Sequence, residues 1–258
     1  MRKIIAIGGG EIGRPGHPVE TTGIDEQIVR ATRKGRPKVL LVPTASGDSE
    51  LYWETFKEHF GGRLGCETDV LWLLRHKPCD EQESRKKILR SDALYVGGGN
   101  TARMMRLWRR RGIDVVMREA WERGIVLSGL SAGAICWFKY GNTDSRKFAN
   151  PDAGLIRMRA IGLVNAALCP HYDVEESRKP DLKAMMRRTT GVAIALDNCS
   201  AIEIIGDRYR VLTCSAGAKA YRVYWSAGEY HEEPLADDCV RRPLSALLQS
   251  LSTINYEL

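Results

Sequence analysis

The sequence predicts an α/β protein, a mostly parallel sheet flanked by helices with a β-rich C-terminal part. Three observations carry that reading. Short apolar runs without polar alternation recur between Lys3 and Asp197, as strands buried on both faces require. Amphipathic stretches of helical period separate several of them, the alternation that winds a parallel sheet. Beyond Ala201 the pattern changes to short runs broken by Gly-Asp-Arg and Ser-Ala-Gly, as in antiparallel hairpins.

Taken in order, the predicted strands are KIIAIG, KVLLVP, TDVLWLL, ALYVGGG, GIVLSG, LVNAALCP and GVAIALD. The predicted helices are GIDEQIVRATRKG, LYWETFKEHFG, DEQESRKKILR and the long stretch from Ala102 to Gly124. The first strand runs into GGGEIG, Gly8 to Gly13, which has the spelling of a dinucleotide fingerprint. That fingerprint needs a helix to begin at once, and Pro15, Gly16 and Pro18 argue for a loop instead. No acidic residue clearly ends the second strand. No nucleotide cofactor is therefore expected, and the glycines are assigned to tight backbone turning.

Composition narrows the partners. The 258 residues carry 39 Lys and Arg against 32 Asp and Glu, a formal net charge of +7. The densest basic cluster, RMMRLWRRRG, puts Arg103, Arg106 and Arg110 at helical spacing, opposite Met104, Leu107 and Trp108. A solvated helix face accounts for it, and no nucleic-acid motif accompanies it, so no nucleic-acid partner is expected. No apolar run approaches the roughly 20 residues of a membrane span. The start, MRKIIAIGGGEIG, lacks an A-x-A-like cleavage site and is assigned to a first strand. The seven cysteines are scattered, odd in number and without C-x-x-C spacing. Neither a disulfide framework nor a metal site follows, and a cytoplasmic protein with reduced thiols is expected. With no linker or repeat, residues 1–258 are expected to form one domain.

One motif carries chemistry. Gly129-Leu130-Ser131-Ala132-Gly133 fits G-x-S-x-G, with an apolar strand before it and the helix-compatible AGAICWF after it. A nucleophile on such a strained turn needs small neighbours. The turn would lift the hydroxyl above the sheet and set the Ala132 N–H beside it, and a helix N-terminus would favour an oxyanion. The motif alone fits equally a serine that caps the helix. The second SAGA, at Ser215, lacks the first glycine and precedes a strand-like KAYRVYW, so Ser215 is assigned to a hairpin turn.

A serine nucleophile needs a base, and there are five histidines. His17 and His231 lie in polar, loop-like surroundings, His59 in a helical pattern and His76 among charges. His171 follows a strand that ends in Pro170, which places it at the sheet edge where Ser131 would emerge. Asp197, also at the end of an apolar strand, is the first candidate to orient His171. Asp144, in the polar loop after the elbow, is the competitor, and Asp173 is a candidate for substrate binding. In the GGGN of Gly97 to Asn100, the N–H of Gly98 or Gly99 could join that of Ala132 in an oxyanion hole. Asn100 could bind substrate or cap the next helix.

Together, IIAIGGGEIG, YVGGGNTARMM, GLSAGAICWF, PHYD and AIALDNCSAIEI resemble the peptidase E family, the aspartyl dipeptidases and their cyanophycinase relatives, over most of the chain. The resemblance implies a fold similar to class I glutamine amidotransferases, with serine in place of their elbow cysteine. It implies Ser131 as nucleophile and His171 as general base in a serine peptidase that hydrolyses small peptides, dipeptides and Asp-X bonds among them. Relatives place an acidic residue at the position matching Asp197, and a residue resembling Asp144 has also been given the third role. One departure bears on substrate. The Gly-His-rich stretch that follows the histidine in the aspartyl dipeptidases, with its substrate-binding arginine, is replaced by HYDVEESRKPDLKAMM. Arg178 and Lys179 are the nearby cations. No metal or organic cofactor is implied, and a homodimer is the protein partner left open. An esterase or acyl-transfer enzyme, or a non-catalytic small-molecule-binding protein, are the alternative readings of the same constellation.

Overall fold

The computed structural model describes residues 1–75 and 77–249; His76 lies outside them. The first five apolar runs become β1 (Lys3–Ile7), β2 (Lys38–Val42), β3 (Glu67–Val70), β4 (Ala93–Val96) and β5 (Val126–Leu130). They pair in parallel in the order β1-β5-β4-β2-β3. The crossovers carry α1 (Thr22–Thr32), α2 (Glu50–Phe56, continued by a π-helical segment Lys57–Arg63), α3 (Glu81–Leu89), α4 (Thr101–Arg110) and α5 (Ile113–Glu122). Alternation along β1 sends Ile4 and Ala6 to the face covered by Trp108 and Met117, and Ile5 and Ile7 to the face covered by Phe56 and Phe60. On α4, Met104, Met105, Leu107 and Trp108 are buried while Arg103, Arg106 and Arg110 point to solvent, so the basic cluster is the outer face of an amphipathic helix.

After β5 the chain makes a single helical turn, α6 (Ala132–Ile135), and enters β6 (Phe138–Thr143). The sequence pattern suggested a longer helix there. Instead Trp137 and Phe138, both fully buried, take the chain straight into a strand. β6 belongs to a second sheet with β7 (Ile156–Arg159), β8 (Val164–Cys169), β9 (Ala193–Leu196), β12 (Ala220–Ser226) and β13 (Glu229–Pro234), in the order β13-β12-β9-β8-β6-β7. Its centre, β6-β8-β9, is parallel and its flanks are antiparallel. α7 (Arg178–Met186) lies between β8 and β9 in the chain. Meanwhile β10 (Ser200–Ile205), β11 (Arg208–Thr213) and β14 (Arg242–Pro243) extend the first sheet beyond β1, all antiparallel, and α8 (Leu244–Leu248) follows. The α/β class and its flanking helices are as expected, and the parallel strands are divided between two mixed sheets. No helix among the described residues is long and apolar enough to cross a membrane.

The two sheets meet where the chain leaves β1, since Gly8 packs against the backbone of Leu196 and Asp197 at the end of β9. The carboxyl ends of β1 and β5 from one sheet, and of β8 and β9 from the other, therefore converge. The close approach of β5 and α6 to β4 holds that end of the first sheet together. A Cβ added at Gly133 would lie 2.0 Å from the Val96 carbonyl oxygen, a backbone atom that no rotamer change can move. Gly133→Ala is expected to destabilise the fold by about 3 kcal/mol, the upper end of ordinary overpacking. Urea unfolding should show this as a lower midpoint with an unchanged slope.

Candidate active site

Ser131 leaves β5 with φ 56° and ψ −109°, a conformation that costs an L-residue on the order of 1–3 kcal/mol. Neighbouring bonds over-determine it. Its N–H donates to the Ile7 carbonyl at 3.0 Å, and its own carbonyl accepts the N–H groups of Ala134 and Ile135 at 3.0 Å. Both flanking glycines are sterically required, because a Cβ at Gly129 would stand 2.5 Å from the Gly133 oxygen. With one turn in α6, little macrodipole is available to an oxyanion, contrary to the expectation from sequence. What remains is the Ala132 N–H itself, which has no partner within the helix.

His171 follows Pro170 at the end of β8 with φ 53°. Its Nε2 lies 2.9 Å from Ser131 Oγ, and its Nδ1 lies 2.7 Å from Asn198 Oδ1. An amide oxygen only accepts, so this bond requires the proton on Nδ1 and leaves the Nε2 lone pair to the serine hydroxyl. Asn198 is itself held, its backbone N–H donating to Asp173 Oδ1 at 2.8 Å. The next residue, Cys199, has φ 58° and donates its N–H to the Gly9 carbonyl. Gly9 makes the contact sterically possible. A Cβ there would fall 1.9 Å from Asn198 Oδ1 and 2.5 Å from His171 Nδ1.

Several sequence expectations are corrected by this geometry. Both ring nitrogens of His171 are occupied, and neither by Asp197 nor by Asp144. The Asp197 carboxylate turns to the other side of the chain, where its Oδ2 accepts the Lys219 N–H at 2.9 Å, and burial raises its pKa. The orienting group lies one residue later and is neutral. The missed signal is that an imidazole needs an acceptor oxygen, which Asn supplies as well as Asp. Asp144 is half-buried in the loop after β6. Asp173 accepts the Asn198 backbone N–H and holds that residue in place. Arg178, 1% exposed, is bonded to the Glu175 carboxylate and the Asn142 carbonyl, away from the cavity. Asn100 caps α4, its Oδ1 accepting the Arg103 N–H at 2.9 Å and its Nδ2 donating to the Ser145 carbonyl.

Ser131 and His171 open into a cavity of about 480 Å³, whose walls include Gly98, Gly99, Tyr52 and the loop from Gly10 to Glu20. Gly98 stands beside the serine, since a Cβ there would be 3.6 Å from Ser131 Cβ. Its N–H makes a long 3.4 Å bond to the Tyr52 hydroxyl, and burial pushes that phenol up to about 12, so it remains a neutral hydroxyl. A hydroxyl, an imidazole whose Nε2 faces it and adjacent backbone N–H donors are groups of the kind that acyl transfer uses. The tautomer can be checked directly. Nitrogen-15 NMR of the free protein should show His171 protonated on Nδ1, with Asn198→Ala moving population to the Nε2-protonated form.

Known proteins resemble this chain over most of its length. The model of peptidase family S51 matches residues 4–212. The "Uncharacterized peptidase YgaJ" of Bacillus subtilis (strain 168) is 36% identical over 237 residues, covering 91% of this chain and 97% of the relative. Among solved structures, a peptidase from an acI-B1 Actinobacterium superposes with a TM-score of 0.71 at 19% identity, over 94% of this chain and 96% of the other. A structure from Listeria monocytogenes EGD-e that carries the peptidase E name gives 0.61 at 21% identity, over 83% and 100%. Family match and sequence identity over nearly the whole length lead to one assignment: the chain belongs to peptidase family S51, the peptidase E family of serine peptidases.

Proposed function

We propose that the protein hydrolyses short peptides, of dipeptide size, through an acyl-enzyme on Ser131. The observation that carries this reading is the 2.9 Å contact between Ser131 Oγ and His171 Nε2, with Asn198 fixing the tautomer. In the cycle, Ser131 Oγ attacks the scissile carbonyl while His171 Nε2 takes its proton. The carbonyl oxygen, now negative, rests on the Ala132 N–H and on N–H groups of the Gly98–Gly99 turn. His171 then protonates the leaving amine, and a water, deprotonated by the same imidazole, releases the acid. The cavity, about 480 Å³, is of the size that encloses a small ligand. Every step uses groups of this chain alone.

Ser131→Ala is expected to lower kcat on a cleaved dipeptide by roughly 10⁶-fold, as removal of a triad nucleophile does. His171→Ala should be similarly impaired, and a fluorophosphonate should label the native serine but not that variant. Retention of full hydrolysis by Ser131→Ala would eliminate the proposal.

A further inference from the structure

The loop from Gly10 to Glu20 brings Glu11, Arg14 and Glu20 to the wall of the catalytic cavity. Among the described residues, these are the acidic and basic side chains that line it beside the His171 imidazole. Arg14 is committed. Its Nε donates to Glu11 Oε2 at 2.8 Å and its Nη2 to Oε1 of the same carboxylate, a two-pronged pair that neutralises Glu11. Glu20 is placed differently. Its Oε2 accepts the Glu11 backbone N–H at 3.0 Å, and no Lys or Arg stands within ion-pair distance of it among the described residues. A Cβ at Gly10 would touch both Glu20 Oε2, at 3.6 Å, and Cys199 Sγ, at 3.4 Å. The carboxylate therefore stands next to the residue that follows Asn198, at the catalytic end of the cavity.

The cations that might oppose it are elsewhere. Arg178 is buried against Glu175 and Asn142, and Arg103 lies across Gly47, outside the lining. The cavity thus carries one negative charge in excess of its positive ones. Glu20 and Arg14 are solvent-exposed, so the excess charge acts on an entering ligand through water, a steering effect that salt weakens.

We infer that the substrate brings a positive group, an ammonium or a guanidinium on a short peptide, to Glu20, and that Glu20 determines specificity by favouring it and repelling an acidic first residue. This rests on the acyl-enzyme reading above and deepens it. The positive group has two sources, the free amino terminus or a basic side chain. A carboxylate in the same place gains nothing from Arg14 and is repelled by Glu20, so Asp-X dipeptides are poor substrates.

The test compares kcat/KM for Arg-Ala, Gly-Ala and Asp-Ala, with N-acetyl-Arg-Ala and N-acetyl-Gly-Ala. Ratios measured on one preparation do not depend on how much of a variant is folded. Gly-Ala and Arg-Ala are expected to exceed Asp-Ala by at least about tenfold. Loss of activity on acetylation of both peptides identifies the amino terminus as the bound cation. A preference for Arg over Gly that survives acetylation identifies the side chain. Glu20→Gln, which keeps an oxygen for the Glu11 N–H, should reduce the Gly-Ala to Asp-Ala ratio about tenfold, and Arg14→Gln, which releases Glu11, should increase it. Equal or faster cleavage of Asp-Ala, or a ratio unmoved by both variants, overturns the inference while leaving the acyl-enzyme in place. Wild-type protein that cleaves none of the five, or cleavage that persists in Ser131→Ala, overturns both.

Discussion

Between β4 and α6 the backbones approach more closely than any side chain allows, and the position of Ser131 follows from that approach. Gly129 and Gly133 put bare Cα atoms against the Val96 and Gly133 carbonyls, so the turn between them can be tight enough to hold Ser131 in a left-handed conformation. The conformational cost, on the order of 1–3 kcal/mol, is offset by three backbone hydrogen bonds that exist only in this shape. A relaxed serine would lose the bond to Ile7, which extends the β1–β5 pairing one residue past Leu130. The strain is therefore maintained by the sheet, which fixes the direction of the Ser131 Cα–Cβ bond toward the imidazole.

The same turn determines the second half of the molecule. A long helix after Ser131 would cross the first sheet and return the chain to it. One turn and the buried Trp137–Phe138 pair instead direct the chain into a new sheet, whose parallel centre delivers β8 and β9 beside β1. Ser131 and His171 thus come from different sheets, and they meet at the seam between the sheets. That explains why three consecutive glycines follow β1. Gly8 admits the backbone that ends β9, Gly9 admits the His171–Asn198 bond, and Gly10 borders Thr21 and Glu20. Their spelling matches a dinucleotide loop, while their function is to let two sheet ends close on one another.

This division explains what could be read from the sequence. Apolar runs and amphipathic spacing identify strands and helices, because each reports the burial of one short segment. Ser131 and His171 were legible for a related reason. An elbow needs its glycines within two residues, and a histidine directly after a strand is placed by that strand. Asn198 was not legible. Whether residue 197 or residue 198 faces the imidazole is decided by the left-handed Cys199 and by its bond to Gly9, about three-quarters of the chain away in sequence. The inward turn of Arg178 depends likewise on Asn142, in a strand the apolar pattern did not announce, since FKYGNT has no clear period of two. The split into two sheets is also tertiary, as pairing partners are not encoded in any one strand.

A second imidazole shows why the chemical identity of a histidine's partner is a poor guide to catalysis. His59 Nε2 lies 2.9 Å from Asp25 Oδ2, the pairing expected of a catalytic base and its carboxylate. Yet both side chains are buried in the core, at 1% and 0% exposure, with Thr21 donating to the same oxygen and Phe60 edge-on to the ring. Burial raises the Asp25 pKa, against the pull of His59 and Thr21. A carboxyl in that position favours sharing or keeping a proton over stabilising a charge that comes and goes, and neither side chain lines the cavity at Ser131. His171 has a neutral partner, Asn198, and lines a cavity that opens onto the hydroxyl it holds. What separates the two imidazoles in this fold is where the strands end: His171 stands at the end of β8 on an open cavity, and His59 is enclosed in the core.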